Sequence, residues 1–130
     1  MNKFMIDTQA MVKHLVGESQ VISKAVDKIL KDADQGLNVI VVPAVVAFEI
    51  AYLNEKGRIP IGVDRLRALI DGASNYVEEP ISFEIVQSAF SIPDIPELHD
   101  RLIAGVARYI GAPILTNDPV LLKSQYVECV

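Results

Sequence analysis

Four acidic side chains occupy positions from which the predicted helices and strands could bring them together. They are Asp7, Glu49, Asp100 and Asp118. Asp7 and Asp118 each follow a predicted strand, and ligands of open α/β sheets bind beyond the carboxyl ends of strands. Like charges about 4 Å apart repel by roughly 4 kcal/mol at an effective dielectric of 20, so converging carboxylates need a cation or shared protons. Oxygen-only ligation favours Mg²⁺ or Mn²⁺, and these ions suit phosphoryl chemistry.

Glu49 is the most informative of the four acids. It is the only side chain in residues 43–53 that is charged near neutral pH, and its neighbours on the predicted helix are wholly or largely apolar. A carboxylate that faces inward is costly unless a cation, a hydrogen-bond donor or a water-filled cleft compensates it. The alternative is a neutral or salt-bridged glutamate at the edge of the core.

The other three acids each have an ordinary structural interpretation as well. Asp100 lies in the first turn of a predicted helix, where it could simply satisfy backbone amides. Its helical neighbours Ile103, Ala104 and Ala107 are apolar, however, so it should face the sheet. Asp7 could cap the helix that follows it, and Asp118 could belong to a turn or a cap.

The elements that must position these acids alternate between strands and helices. Predicted strands cover Lys3–Ile6, Val39–Val42, Asn75–Glu79 and Ile114–Leu115. Predicted helices cover about Thr8–Val16 with Thr8 as its cap, Gln20–Asp34, Pro43–Lys56, Asp64–Asp71, Ser82–Phe90 and Glu97–Tyr109, with Gly111 as a stop. Right-handed crossovers between such strands predict an α/β fold in three layers, with a mostly parallel central sheet, as one domain over residues 1–130.

Composition limits the classes of function. The 130 residues are 51% hydrophobic and carry a net charge of −5. This charge argues against a protein that holds nucleic acid by general neutralisation of its phosphates. It does not argue against an enzyme that binds cations in an acidic cleft. Cys129 is the only cysteine, so no internal disulfide and no thiolate metal site is expected. The first residues lack a signal-peptide pattern, and polar residues interrupt the most apolar stretch, 37–53. We expect a cytoplasmic protein that does not enter the membrane.

Several segments, taken in order, resemble one known family. The segments are Met5-Ile6-Asp7-Thr8, Val42-Pro43-Ala44-Val45-Val46-Ala47-Phe48-Glu49-Ile50, Pro96-Glu97-Leu98-His99-Asp100-Arg101-Leu102-Ile103-Ala104 and Ile114-Leu115-Thr116-Asn117-Asp118. They are similar to PIN-domain ribonucleases, and most of all to the VapC-type toxins of toxin–antitoxin pairs. The resemblance spans nearly the whole chain, and the Asp-Arg-Leu-Ile-Ala segment is its most specific part.

The resemblance implies a site and a reaction. Asp7, Glu49 and Asp100 match the three core acids of the family, and Asp118 matches its variable fourth acid. Thr8 and Thr116 match hydroxyl positions that line the site. The implied protein is an endoribonuclease that uses Mg²⁺ or Mn²⁺ to activate water, with Asp7 and Asp100 nearest the metal. One departure is that the Asn117-Asp118-Pro119-Val120 segment lacks the aromatic or charged residues that often follow the fourth acid.

The resemblance also implies partners, and basic residues suggest surfaces for them. A VapC-type toxin would be held by an antitoxin that lays a helix or extended segment across the acids, and it would form a homodimer. Arg101 could contact phosphate or pair with an acid of the cluster. Further basic residues could form an RNA-facing or partner-facing edge, or an ordinary solvated surface; they are Lys56, Arg58, Arg65 and Arg67. His14 and His99 are interpreted as structural or surface histidines.

Two other classes of function fit the sequence less well. A PIN-like domain without turnover could serve as a binding scaffold. Phosphatases and phospho-acceptor receivers also place acids at strand ends, but Asp7-Thr8-Gln9 lacks their paired Asp-x-Asp and no lysine follows a late strand. The sequence contains neither a dinucleotide fingerprint nor a P-loop.

Overall fold

The computed structural model describes residues 1–72 and 75–130, which form four strands and seven α-helices. The strands are β1 (Asn2–Ile6), β2 (Asn38–Pro43), β3 (Tyr76–Glu79) and β4 (Ile114–Leu115). The helices are α1 (Thr8–Leu15), α2 (Lys24–Asp34), α3 (Ala44–Glu55), α4 (Val63–Gly72), α5 (Phe83–Phe90), α6 (Leu98–Ile110) and α7 (Pro119–Lys123), with a 3₁₀ turn at Ser19–Val21. The predicted α/β class is confirmed.

The four strands form one parallel sheet in the order β3-β2-β1-β4. The chain adds β2 and β3 on one side of β1 and then returns to add β4 on the other side. With right-handed crossovers, this reversal puts the helices before β3 and those after it on opposite faces of the sheet. The reversal also creates a switch point between β1 and β4, where open α/β sheets bind their ligands.

The core lies on both sides of the two central strands. β2 is a run of β-branched residues, as expected for a parallel strand that helices cover on both faces. Fully buried side chains from the strands and helices meet there, among them Met5, Ile6, Met11, Leu30, Ile40, Val46, Ile50, Val106 and Ile114. No helix in the described part of the chain is long and apolar enough to cross a bilayer.

Three helix starts differ from the sequence prediction. Asp7, not Thr8, caps α1, and its side chain accepts a hydrogen bond from the Ala10 amide. α2 begins at Lys24 rather than at Gln20 because Ser23 caps it, and the preceding turn is 3₁₀. The short helix α7 was not predicted. Its cap is Asp118 and its first residue is a proline, which is favourable at that position.

Helices α5 and α6 approach each other unusually closely at Gly105. A Cβ built on Gly105 would lie 2.7 Å from backbone and side-chain atoms of Ala89. The Ser88 hydroxyl also donates a hydrogen bond of 2.8 Å to the Gly105 carbonyl oxygen. This contact fixes α6, and therefore the first turn of α6, against α5.

A polar network joins α1, α2 and β3 away from the four acids. The buried Tyr76 hydroxyl donates to Asp34 Oδ1 at 2.8 Å and lies 3.2 Å from His14 Nε2. The His14 and Tyr76 rings stack with centroids 6.2 Å apart. Burial, followed by the hydrogen bond to Asp34, raises the pKa of Tyr76 above its usual range. His14 therefore packs and hydrogen-bonds within this network, in agreement with its interpretation as a structural or surface histidine.

Candidate functional site

Asp7 lies at the switch point of the sheet, directly after β1. Its backbone amide donates to the Leu115 carbonyl at the end of β4, at 3.2 Å. The side chain is 5% exposed. One carboxylate oxygen accepts from the Ala10 amide at 2.9 Å, and the other accepts from the Thr116 hydroxyl. Asp7 is thus both a helix cap and a carboxylate fixed in the crevice between β1 and β4.

A single hydroxyl links Asp7 to Asp118. Thr116 follows β4 and is buried. Its Oγ1 donates to Asp7 Oδ2 and accepts a 2.9 Å hydrogen bond from the Asp118 amide. Asp118 Oδ1 in turn accepts from the Val120 amide at 2.8 Å, as the cap of α7. The end of β4 therefore positions the first and fourth acids together.

Glu49 reaches the same region from α3. The side chain is half-buried, and its Oε1 accepts a 2.7 Å hydrogen bond from the Thr8 hydroxyl in the first turn of α1. Residues of the same helix beside it are buried in the core, among them Val46 and Ile50. No basic side chain of the described residues forms an ion pair with Glu49. The alternative of a salt-bridged glutamate therefore has no support in the structure.

Asp100 completes the cluster from the first turn of α6. The pKa of Asp100 is raised to about 6, first by burial and then by the charges of Asp118, Glu97, Glu49 and Asp7, in that order. Burial also raises the pKa of Asp7, while its hydrogen bonds from Thr116 and Ala10 partly oppose the shift and the charges of Asp118 and Glu49 add to it. The structure therefore brings all four acids into one electrostatic field.

The donor chemistry of this cluster fits a hard divalent cation. All four groups are carboxylates, and across residues 1–72 and 75–130 no lysine or arginine neutralises them by an ion pair. In the same residues, no three Asp, Glu, His or Cys side chains are arranged to hold an ion together. Mg²⁺ commonly binds through one or two carboxylates plus water and substrate phosphate, so it does not require a closed protein cage.

Arg101 points away from the four acids. Its Nε donates to the Ala89 carbonyl at 3.0 Å, and its guanidinium lies 4.3 Å from the centroid of the Phe90 ring. A second guanidinium nitrogen lies 3.5 Å from the Phe90 carbonyl oxygen, so the side chain is held at the C-terminal end of α5. The structure therefore does not bring the Arg101 guanidinium together with Asp100, although the two residues are adjacent in sequence.

His99 is an exposed residue at the mouth of the cluster. Its Nδ1 lies 2.9 Å from Glu97 Oε1, and this hydrogen bond raises the pKa of His99. Glu97 also caps α6 by accepting from the Asp100 amide at 2.7 Å. The contacts of Glu97 with His99 and with the Asp100 amide hold the first turn of α6, which carries Asp100.

Two features near the acids were not found by sequence reasoning. Phe48 and Tyr52 are 68% and 49% exposed on α3, on either side of Glu49 in sequence. Aromatic residues four positions apart on a mostly apolar helix were the available signal, but the apolar composition suggested burial instead. The role of Thr116 as a bridge between two acids depends on the pairing of β1 with β4, which spacing does not reveal.

Comparisons with known proteins agree with this arrangement. The family model described as "PIN domain" matches residues 4–124. One similar structure is the crystal structure of VapBC2 from Rickettsia felis, bound to a DNA fragment from the VapBC2 promoter. A chain of that structure superposes on this chain with a TM-score of 0.72 at 16% identity. The match covers 98% of this chain and 97% of that chain. A chain of DNA-bound VapBC from Salmonella typhimurium gives a TM-score of 0.69 at 17% identity, covering 100% and 98%. No curated protein sequence matches this chain.

Proposed function

The chain belongs to the PIN domain family, and on that premise we propose that it is a metal-dependent endoribonuclease whose acids are Asp7, Glu49, Asp100 and Asp118. The observation that carries the proposal is the electrostatic environment of Asp100. The pKa of its carboxyl group is raised by burial and then by nearby charges, which include the other three acids. Those acids lie directly after β1, on α3 and after β4, and hydrogen bonds of Thr116 and Thr8 hold them. Four carboxylates with no basic partner in the described residues form an arrangement that a divalent cation would stabilise.

Each residue has a distinct task in this mechanism. If bound by these acids, Mg²⁺ or Mn²⁺ would supply positive charge that lowers the pKa of a water molecule and offsets the charge of the phosphate. Asp7 and Asp100 are the proposed direct ligands, and Glu49 and Asp118 ligate directly or through water. Thr116 keeps the Asp7 carboxylate oriented through its hydrogen bond, and Thr8 does the same for Glu49. The proposed reaction is hydrolysis, in which water cleaves a phosphodiester bond of RNA.

We further propose that this nuclease is the toxin of a toxin–antitoxin pair. The support is the likeness of its fold to chains in two VapBC structures over nearly the full length of both chains. Its partners would be an RNA substrate, an antitoxin that covers the acids and a second copy of this chain. We also propose that residues 1–130 form one domain and that the protein acts in the cytoplasm.

Cleavage assays with acid variants test the proposal. The purified protein, Asp7→Asn and Asp100→Asn would be incubated with total RNA and Mg²⁺ or Mn²⁺, and with EDTA in parallel. Asp64→Asn is the matched control, because Asp64 is an exposed acid in the first turn of α4. We expect cleavage by the native protein and the control only in the presence of the cation. Equal cleavage by Asp100→Asn would contradict the mechanism.

Expression in cells tests the toxin role separately. Induction of the native chain should arrest growth, and induction of Asp100→Asn should not. Growth unaffected by either chain, together with cleavage in the purified system, would leave a nuclease that is not a toxin. No cleavage and no stabilisation by the cation would favour a scaffold domain instead.

A further inference from the structure

We infer that a groove along α3, next to Glu49, binds single-stranded RNA. We call it the α3 groove and define it by Phe48, Tyr52, Leu53 and Arg58. In this assignment the two aromatic rings stack with bases, and the Arg58 guanidinium binds a backbone phosphate. The inference rests on the proposed function for its choice of RNA as the ligand.

Two hollows form the α3 groove, and each reaches one member of the hydrogen-bonded pair Thr8 and Glu49. One hollow of about 540 Å³ is lined by Phe48, Glu49, Tyr52, Leu53, Arg58 and His99. A second hollow of about 390 Å³ shares Leu53 and Arg58 with the first and includes Thr8. Thr8 and Glu49 are hydrogen-bonded to each other, so each hollow reaches one member of that pair. Arg58 therefore lines two open spaces, of which one reaches Glu49 and the other reaches its hydrogen-bond partner Thr8.

The exposed rings of Phe48 and Tyr52 suit base stacking. They lie one helical turn apart, and residues at this spacing share a face with about 6 Å between their Cβ atoms. Their exposed fractions are 68% and 49%, although the same helix buries Val45, Val46 and Ile50 in the core. Stacking on aromatic side chains is the usual way in which proteins hold single-stranded bases, and it tolerates any base sequence.

The cations of the α3 groove suit a phosphate backbone. Arg58 is exposed, and no acid among the described residues forms an ion pair with it. The Lys56 ammonium lies 5.6 Å from the centroid of the Tyr52 ring. By contrast, Arg67 pairs with Asp71 at 3.2 Å and lies 4.0 Å from Glu78. Of the four basic residues named earlier for this surface, Arg67 is paired with acids and Lys56 and Arg58 lie beside the rings. The fourth, Arg65, is exposed and does not line the groove.

Charge and chemistry together favour RNA over an apolar protein segment as the occupant. An apolar helix would leave the Arg58 guanidinium next to its hydrophobic face, which costs desolvation energy. An RNA strand places a phosphate against the arginine and a base against each ring. In a chain with a net charge of −5, local cations beside the site are needed to attract a polyanion.

Binding measurements in EDTA test the inference without cleavage. The probe is a fluorescein-labelled single-stranded RNA of mixed sequence and about 12 nucleotides, followed by anisotropy. Phe48→Ala and Tyr52→Ala should each weaken binding about tenfold, and Tyr52→Phe should retain the affinity of the native protein. Tyr109→Ala is the matched control, because Tyr109 is 52% exposed on a different helix; it should bind as the native protein does.

The salt dependence of binding tests the phosphate contact. Arg58→Ala should reduce the slope of log K against log salt by about 0.7, the value for one phosphate of a single strand. Arg65→Ala removes an exposed arginine that does not line the α3 groove and should leave the slope unchanged. Thermal unfolding of each variant establishes that it is folded.

The possible failures can be told apart. If the native protein cleaves RNA but all groove variants bind like their controls, the inference is overturned and the nuclease remains. If binding depends on Tyr52 and Arg58 but no cleavage occurs with any cation, the inference is supported and the nuclease proposal fails. If Phe48→Ala and Tyr52→Ala leave RNA affinity unchanged but lower the sedimentation coefficient, the groove is a protein interface and the inference is overturned.

Discussion

Replacing Asp100 with asparagine is expected to stabilise the cation-free protein, although it removes a proposed catalytic group. In the folded chain the pKa of Asp100 rises from 3.8 to about 6, first through burial and then through the other acids. Each pKa unit corresponds to about 1.4 kcal/mol, so the full shift would represent roughly 3 kcal/mol. Because Asp100 is only half-buried, solvent screening reduces this to about 1 kcal/mol.

The sign of the effect depends on pH. A carboxyl group with a raised folded pKa binds more protons in the folded state, so its cost is absent below about pH 4, where both states are protonated. The cost develops between about pH 4 and pH 6 and is complete above that. Asp100→Asn should therefore be more stable than the native chain near pH 7.5 and nearly equal to it near pH 4. Protons also compete with a cation, so cation affinity should fall below about pH 6.

Thermal unfolding measures this difference directly. In EDTA near pH 7.5, a gain of about 1 kcal/mol should raise the Tm of Asp100→Asn by roughly 3–5 °C. Added Mn²⁺ should raise the Tm of the native protein and have little effect on the variant. Asp64→Asn is the control, since it makes the same change in the first turn of α4, where the acid is exposed. A variant no more stable than this control near pH 7.5 would refute the expected cost of burying the Asp100 charge beside the other acids.

Three further predictions concern positioning and packing. Thr116→Val should lower the free energy of unfolding by about 1–3 kcal/mol and weaken cation binding, because the Asp7 carboxylate loses its hydroxyl donor. Thr116→Ser keeps the hydroxyl and should restore both. Urea unfolding measures the stability, and titration calorimetry measures cation binding. Gly105→Ala should lower the Tm through a clash with the α5 backbone that costs about 1–3 kcal/mol, and Gly72→Ala, which meets open space, should not lower it; equal Tm values would contradict the packing argument. Tyr76→Phe removes a buried hydroxyl that donates to a carboxylate and should cost about 1–2 kcal/mol in urea unfolding, with RNA cleavage unaffected.

Local patterns were sufficient to predict most of the fold. The β-branched run of β2, the serine cap of α5 and the glycine that ends α6 each depend on neighbours within one turn or strand. Gly111 has a φ of +69°, the left-handed conformation that favours glycine at a helix end. Alternation of the elements then restricts the topology to a parallel sheet.

Features that depend on distant contacts could not be read from the sequence. Arg101 follows Asp100, but its guanidinium binds α5 carbonyl oxygens because of the close approach at Gly105. The network around Tyr76 joins residues 62 and 42 positions apart, so no local spacing reports it. Asp118 was expected after a strand, but the helix that it caps, α7, is too short for periodicity to indicate.

The pairing of β1 with β4 sets when the acidic cluster can exist during synthesis of the chain. Thr116, which holds one oxygen of the Asp7 carboxylate, belongs to the segment after β4. It is translated 109 positions after Asp7. Contacts between such distant parts of a chain form late in folding. In a nascent chain that ends before β4, Asp7 therefore has only its hydrogen bond from the Ala10 amide, and Asp118 is missing. The cluster forms only after residues 114–118 have been translated and β4 has joined the sheet.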